Sequence, residues 1–454
     1  MPERVAILGL ARSGRAAVKL ALRRGAVVYA SDAGDTPELR AAVDEIQRAG
    51  GDAEVGRHDV ARLTGSDLIV LSPGIPPTAT VLADHRVAAV PRISELEFAF
   101  RELAAPVIAV TGTNGKSTTT ALISHLLTGA GLDAPAAGNI GLPLSEVALR
   151  QPAPAWVVVE ASSFQLAGID RFAPRIGVVT NLSPDHLDRY PSVEAYYSDK
   201  ARLFRNARAD SIWVLNAEDE AVLALPGEVD GARLVFRVDT PPAATEEGGW
   251  VNPEGDLCVR LRGESRCLLN ASELRVPGRH NLANALAAAL AALSAGAPAG
   301  AIADGLRSFA GLEHRLEYVL ERDGVVWIND SKATNIDSTL IALRSMTRPT
   351  VLLLGGRHKG ESYTRMIAEL RRTVRAIVAF GEAGPLVERE LTRAVPVIRV
   401  RSGFEDAVQR AAELAQPGDA VLLAPACSSF DMFRNYEERG RRFKELAHAV
   451  RVHG

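Results

Sequence analysis

A chain of 454 residues exceeds the roughly 250–300 that one hydrophobic core usually serves, so two or three domains are expected. With 47% hydrophobic and 24% charged residues and a formal net charge of -3, the composition is that of an ordinary soluble globular protein with no overall pull toward nucleic acid or anionic membrane. No window reaches the ~18 uninterrupted apolar residues of a membrane helix, so the expected partners are small molecules, with no nucleic acid and no membrane insertion.

Glu3 and Arg4 precede the apolar residues 5–8, a run too brief for the apolar core of a signal peptide. Three cysteines, Cys258, Cys267 and Cys427, form no CxxC pair and leave an odd count. Neither a disulfide framework nor a zinc site is indicated, and a reducing, cytoplasmic setting fits.

Along the chain, apolar β-branched runs of four to six residues recur, each closed by Gly, Ser or Pro and followed by a helix-like stretch, the pattern of parallel α/β units. The first block holds strands at 5–8, 27–30 and 68–71, the last running into Ser72-Pro73-Gly74-Ile75-Pro76-Pro77, and ends near Ser94. Gly9-Leu10-Ala11-Arg12-Ser13-Gly14 follows the first strand, and Asp32 closes the second about twenty residues later. This imitates a dinucleotide fingerprint, in which the acidic residue takes ribose hydroxyls. Ala11 stands where the middle glycine belongs, and its methyl group obstructs a pyrophosphate. The stretch reads either as a site for a nucleotide other than NAD or as a bland Rossmann-like turn.

The second block opens with a strand at 107–110 and continues through 156–159, 176–179 and 212–215. Directly after its first strand stands Thr111-Gly112-Thr113-Asn114-Gly115-Lys116-Ser117-Thr118, opening a helix. Glycines let backbone N–H groups turn inward around phosphate oxygens, the helix N-terminus adds a favourable dipole, Lys116 supplies charge and Ser117 can reach Mg²⁺. Val110 stands where the longer nucleotide loop has its first glycine, which disfavours an ordinary P-loop motor. Glu160 closes the next strand, at the edge where open α/β sheets bind ligands, and a carboxylate there suits Mg²⁺. His186, in Asn181-Leu182-Ser183-Pro184-Asp185-His186-Leu187-Asp188, follows the strand at 176–179 and is open to a structural or a functional reading. Lys200 falls in a helix expected at 193–206, where a lysine is ordinarily a solvated charge. Residues 240–255, rich in Pro, Gly and Glu, read as a surface loop or hairpin insertion, and the alanine-rich 281–294 as a helix.

The third block, from about Leu312, offers strands at 325–328, 351–354, 376–380, 397–400 and 420–423 and reads as another doubly wound sheet. Asp330, Lys332 and Lys359 follow strand ends and are read either as loop charges or as the lining of an interdomain cleft.

Taken together, these stretches resemble the Mur ligase family over nearly the whole chain. The resemblance rests on Gly112-Thr113-Asn114-Gly115-Lys116-Ser117-Thr118, Glu160, Asp185-His186-Leu187-Asp188, Lys200, His280-Asn281-Leu282-Ala283-Asn284 and His314-Arg315. Asn329-Asp330-Ser331-Lys332-Ala333-Thr334-Asn335 and Pro425-Ala426-Cys427-Ser428-Ser429-Phe430-Asp431 look like the member that adds D-glutamate.

The resemblance implies an α/β protein of three domains: a Rossmann-like UDP-substrate domain at 1–94, a central P-loop-type ATPase domain at 95–311 and a C-terminal doubly wound, Rossmann-like amino-acid domain at 312–454. It implies a monomeric cytoplasmic ligase that uses ATP and Mg²⁺ to couple UDP-N-acetylmuramoyl-L-alanine to D-glutamate. Residues Gly112, Thr113, Asn114, Gly115, Lys116, Ser117 and Thr118 would hold the ATP phosphates, with Asn284, Arg315 and Asp330 around the nucleotide. Ser117 and Glu160 would hold one Mg²⁺, and His186 with a carbamate on Lys200 a second; Lys116, His186 and Lys200 are the implied catalytic residues. Ser13, Asp32, Gly74 and Asn139 would take the UDP group. Lys332, Thr334, Lys359, Ser429 and Tyr436 would lie near the glutamate and the reacting end. Arg12 occupies a position often apolar in the family, and Tyr436 one commonly Phe.

Other classes leave residues unexplained. An NAD-dependent oxidoreductase built on residues 9–14 has no use for the Lys116 loop, and a noncatalytic nucleotide switch has none for Lys332, Lys359 and Ser429. A folylpolyglutamate synthetase-like ligase shares the ATP machinery but lacks a role for the first block.

Overall fold

The computed structural model describes residues 2–75, 79–185, 190–243, 245–276 and 278–450. They form two compact units, Met1–Phe309 and Ala310–Gly454. Three sheets carry the α/β architecture, two in the first unit and one in the second.

In the first unit, a five-stranded parallel sheet runs in the order Asp52–Val55, Val27–Asp32, Arg4–Leu8, Leu68–Leu71, Arg92–Ser94. The chain order reverses between Arg4–Leu8 and Leu68–Leu71, which opens a crevice at their C-terminal ends. Gly9 sits there at φ +92°, and an added Cβ would come within 2.9 Å of Ser72 Cβ, so the two loops touch only because Gly9 has no side chain. The helix Arg12–Arg23 buries Ala16, Ala17, Val18, Leu20 and Ala21. Its Arg23 donates to the carbonyls of Ala148 (2.7 Å) and Leu149 (3.2 Å), capping the C-terminal end of the helix Leu144–Ala148.

The second sheet has nine strands in the order Glu264–Asn270, Asp256–Leu261, Gly248–Val251, Ala232–Phe236, Ile212–Asn216, Ile176–Val179, Val107–Thr111, Val157–Glu160, Ala136–Gly138. Its parallel strands are apolar on both faces because helices cover both. Along Val107–Thr111, Val107 and Ala109 enter one core while Ile108 and Val110 enter the other. Each of the valine and isoleucine side chains contributes about 1.5–3 kcal/mol relative to exposure. The helix Arg279–Ser294 is buried nearly all round from Asn284 to Ala292, which its run of alanines permits.

The second unit holds six strands in the order Glu317–Arg322, Val325–Asn329, Ala420–Leu423, Thr350–Gly355, Val374–Phe380, Val397–Arg399, parallel except for the first pair. Again one strand feeds two cores: Leu352 and Leu354 pack with Met366 and Leu370, Val351 and Leu353 with Phe404 and Phe443.

Residues 240–255, read as a surface loop or hairpin insertion, supply the first strand and turn of a hairpin: Gly248–Val251 pairs antiparallel with Asp256–Leu261, which pairs in turn with Glu264–Asn270, and it also joins the sheet beside Ala232–Phe236. Two expectations need correction. Cys258 and Cys267, opposite each other on that pair, are disulfide-bonded, leaving Cys427 as the free cysteine. A CxxC test cannot detect two cysteines brought together by hairpin register. The helix expected at 193–206 ends at Ala201 and continues as the tighter turn Arg202–Phe204. No described helix is long and apolar enough to cross a membrane.

Candidate active site

The loop between Val107–Thr111 and the helix Lys116–Gly129 is folded by its own glycines and by the neighbouring strand end. Gly112 adopts φ +136°, and a Cβ there would collide with the Thr180 hydroxyl. Gly115 adopts φ +82°, with Asn284 Oδ1 2.5 Å from where its Cβ would be. Both positions therefore require glycine. Asn181 braces the loop from the next strand: its Oδ1 accepts from Asn114 N and its Nδ2 donates to Asn114 O, both at 2.9 Å. Thr113 N donates to Asn181 O (2.8 Å), and Thr180 Oγ1 donates to Asn114 O (2.6 Å). Asn284 reaches in from the alanine-rich helix, accepting from Thr119 Oγ1 at 3.2 Å. Ser117 and Thr118 are buried in the first helical turn, where N–H groups have no intrahelical acceptor and the helix dipole favours an anion.

Two lysines converge on one oxygen. Lys116 Nζ donates to the carbonyls of Gly112 (3.0 Å) and Thr113 (2.7 Å), and Lys200 Nζ donates to the same Gly112 carbonyl at 2.6 Å. Lys200 is 1% exposed, overturning the solvated-charge reading, and its ammonium lies 4.5 Å from the centre of the Tyr196 ring. Burial, reinforced by the Lys116 charge, holds its pKa well below the ordinary lysine value against the opposing pull of Asp185 and Glu160. The amine is thereby biased toward its neutral, nucleophilic form.

Glu160 is 1% exposed; one carboxylate oxygen accepts from Asn139 Nδ2 at 2.8 Å, while Oε2 is buried without a hydrogen-bond partner. A buried carboxylate oxygen left unpaired is costly, and a hard divalent cation would satisfy it, so the donor set fits Mg²⁺. Among the described residues no three of His, Cys, Asp and Glu gather as a ready metal cluster. His186 lies outside the described residues.

Of the four residues expected at the UDP group, three stand together at the first sheet's crevice. Asp32 accepts from Leu10 N (2.8 Å) and Gly34 N (2.9 Å), so it shapes the glycine loop. Ser13 lies in the first turn of the helix Arg12–Arg23, and Gly74 is exposed beyond Leu68–Leu71. Asn139 is instead beside Glu160. Arg12 reaches the same segment, donating to Gly141 O at 3.2 Å.

The second unit gathers the remaining candidates. Lys359 Nζ donates to Thr334 Oγ1 at 3.3 Å, and Lys332 Nζ lies 5.6 Å from the centre of the Tyr436 ring. Ser429 is buried, in the loop after Ala420–Leu423. Burial pushes the Asp330 carboxyl up to about 7 despite the charge of Arg315, the Leu316 N–H and Lys332. His314, Leu316 and Ala426 hold positive φ (65°, 44° and 52°), local strain of the sort that gathers at binding loops.

Sequence reasoning missed the supporting residues. Asn181 follows a strand end just as Glu160 does, and that signal was available. Arg439 gave none: in a charged helix it reads as a surface residue, yet it is wholly buried, donating to Ser331 Oγ (3.0 Å), Ser331 O (2.9 Å) and Cys427 O (3.2 Å). Burial lowers its pKa to about 10.

Three family models match the chain: the Mur ligase MurD-like N-terminal domain over residues 3–94, the Mur ligase middle domain over 110–292 and the Mur ligase glutamate ligase domain over 314–427. The UDP-N-acetylmuramoylalanine--D-glutamate ligase of Anaeromyxobacter dehalogenans is 44% identical, covering 98% of this chain and 97% of that one. That of Salinibacter ruber is 41% identical, covering 98% of each. Among solved structures, the UDP-N-acetylmuramate-alanine ligase of Thermotoga maritima aligns with a TM-score of 0.59 at 19% identity, over 98% of this chain and 99% of that one. E. coli FolC aligns with a TM-score of 0.58 at 19% identity over 78% of this chain and 92% of that one. These two likenesses are of fold alone.

Proposed function

Because the chain belongs to the Mur ligase family, we propose that it is an ATP-dependent ligase that joins D-glutamate to UDP-N-acetylmuramoyl-L-alanine in peptidoglycan synthesis. The observation that carries the chemistry is the convergence of Lys116 and Lys200 on the Gly112 carbonyl in a glycine-shaped loop. Relatives bearing the name of this activity, matched end to end, support the choice of substrates. In this reading residues 1–94 bind the UDP group, 95–311 bind ATP and 312–454 bind glutamate, in a monomeric cytoplasmic enzyme.

The loop N–H groups, the helix dipole and Lys116 draw the ATP phosphates into line, and positioning with charge dispersal dominates phosphoryl transfer. The alanine carboxylate attacks the γ-phosphorus; the bond to the β,γ-bridging oxygen breaks, ADP leaves and an acyl phosphate forms. The neutral amine of glutamate then adds to the acyl carbon, and the tetrahedral adduct expels inorganic phosphate and loses a proton. Ser117 and Glu160 would hold one Mg²⁺, and His186 with carbamylated Lys200 a second, supplying charge stabilisation to the transferring phosphoryl group. Asn284, Arg315 and Asp330 orient the nucleotide, Ser13, Asp32, Gly74 and Asn139 serve the UDP substrate, and Lys332, Thr334, Lys359, Ser429 and Tyr436 serve the amino acid.

Incubating the protein with ATP, Mg²⁺, UDP-N-acetylmuramoyl-L-alanine and either enantiomer of glutamate tests the assignment by mass spectrometry. The expected product is the substrate extended by one glutamyl residue with the D enantiomer. Extension with L-glutamate alone, or none with either, contradicts it.

A further inference from the structure

In the second unit, two of the residues assigned to glutamate lie on different loops, Lys359 after the strand Thr350–Gly355 and Ser429 after Ala420–Leu423. The loops are stitched at one point, where Arg357 and Ser428 form an isolated antiparallel bridge with N–H to O distances of 2.9 and 3.2 Å. Each assigned residue is thus within two positions of the bridge. Gly356, at φ +129°, permits it, since any Cβ there would strike the Ser428 carbonyl.

A second tie lies beneath. Tyr363 is 1% exposed, and its hydroxyl is 2.9 Å from Cys427 Sγ and 3.1 Å from His358 Nδ1. His358 adjoins Lys359, and Cys427 adjoins Ser428. One phenol therefore spans the two loops with a donor and acceptor at its tip. Its backbone is itself fixed, Tyr363 N donating to Glu390 Oε2 at 2.8 Å. A bare hydrophobic filler would not need a hydroxyl between a thiol and an imidazole, because burying an unmatched hydroxyl is unfavourable.

We propose that Tyr363, through His358 and Cys427, is a positioning residue that holds Lys359 and Ser429 in the mutual register required to bind the amino-acid substrate. This rests on the assignment of those two residues to glutamate. The hydroxyl touches neither substrate nor reacting atoms; it sets the separation of two loops that do.

The test is Tyr363→Phe, which keeps the ring and removes only the oxygen. Steady-state kinetics should show the KM for D-glutamate raised at least about fivefold, since the variant loses the hydroxyl's contacts to both Cys427 and His358 and one buried hydrogen bond alone corresponds to about that factor. The KM for ATP and for the UDP substrate should stay within twofold of the unaltered protein. Unchanged glutamate KM overturns the proposal. So does a parallel loss in all three KM values and in melting temperature, which would mark Tyr363 as mere core packing. Should that variant fail to fold, His358→Ala removes the relay from its partly exposed end and must raise the glutamate KM selectively; an unaltered KM there overturns the proposal equally. Failure of the functional reading is separable, since the unaltered protein would then show no D-glutamate-dependent turnover at all.

Discussion

Lys116 and Lys200 donate to the same acceptor, the Gly112 carbonyl oxygen, at 3.0 and 2.6 Å. Two ammonium groups on one oxygen repel each other, and the more buried one yields its proton more readily. The proposed function gives Lys200 a carbamate: reaction of the neutral amine with CO₂ would form an N–C bond, release a proton and turn a would-be cation into an anion able to face Mg²⁺.

On that basis Lys200→Ala should lose nearly all ligase activity, and acetate at high concentration should restore part of it by filling the vacated space with a carboxylate. Lys200→Arg should stay inactive, because guanidinium keeps its charge and forms no carbamate. Turnover assays of both variants with and without acetate decide this. Near-normal activity in the arginine variant would leave Lys200 without a metal-site role.

Asn181→Ala removes both side-chain bonds that brace Asn114. The Asn114 carbonyl keeps its bond from the Thr180 hydroxyl, but the Asn114 N–H loses its acceptor, a loss of about 1–3 kcal/mol, so the loop should loosen and nucleotide affinity should fall about tenfold. Calorimetric titration with an ATP analogue measures it. UDP-substrate affinity should be unchanged, and an equal loss of both would contradict the separate placement of the two sites.

Asp330 gives a pH signature. Its folded pKa of about 7 lies above the unfolded carboxylate value, so its contribution is fully present below about pH 4 and is lost as pH rises through 7. The loss is on the order of 4 kcal/mol for a shift of about three units. Asp330→Asn abolishes that dependence, so its stability relative to the unaltered protein should rise between pH 4 and 7.5 in urea denaturation. A flat difference would mean the carboxyl is already ionised in the folded state.

Lys359→Ala should raise the KM for glutamate far more than that for ATP, because the proposed function pairs its ammonium with a carboxylate of the amino acid. If only the ATP KM rises, Lys359 serves the nucleotide.

The regular parts of this fold were legible because parallel strands buried on both faces read as short apolar runs; those at 68–71, 176–179 and 420–423 match the observed strands end for end. Short edge strands such as Ala136–Gly138 and Asp52–Val55 were not, since few of their side chains enter a core. The loop from Gly112 to Lys116 declared itself through glycine spacing after a strand. Lys200 needed the family pattern, because periodicity cannot tell a lysine facing solvent from one turned onto a carbonyl. Arg439 and Tyr363 act through tertiary contacts made over 60 or more residues of separation, to Ser331 and Cys427 respectively, and nothing local encodes those.

Phosphate release from ATP, followed continuously while each substrate is withheld in turn, tests the central claim most directly. The account predicts sustained release only when UDP-N-acetylmuramoyl-L-alanine and D-glutamate are both present, with one phosphate formed per glutamyl product. Equally fast release with no acceptor present would contradict it and mark the Lys116 loop as the site of a nucleotide switch or motor.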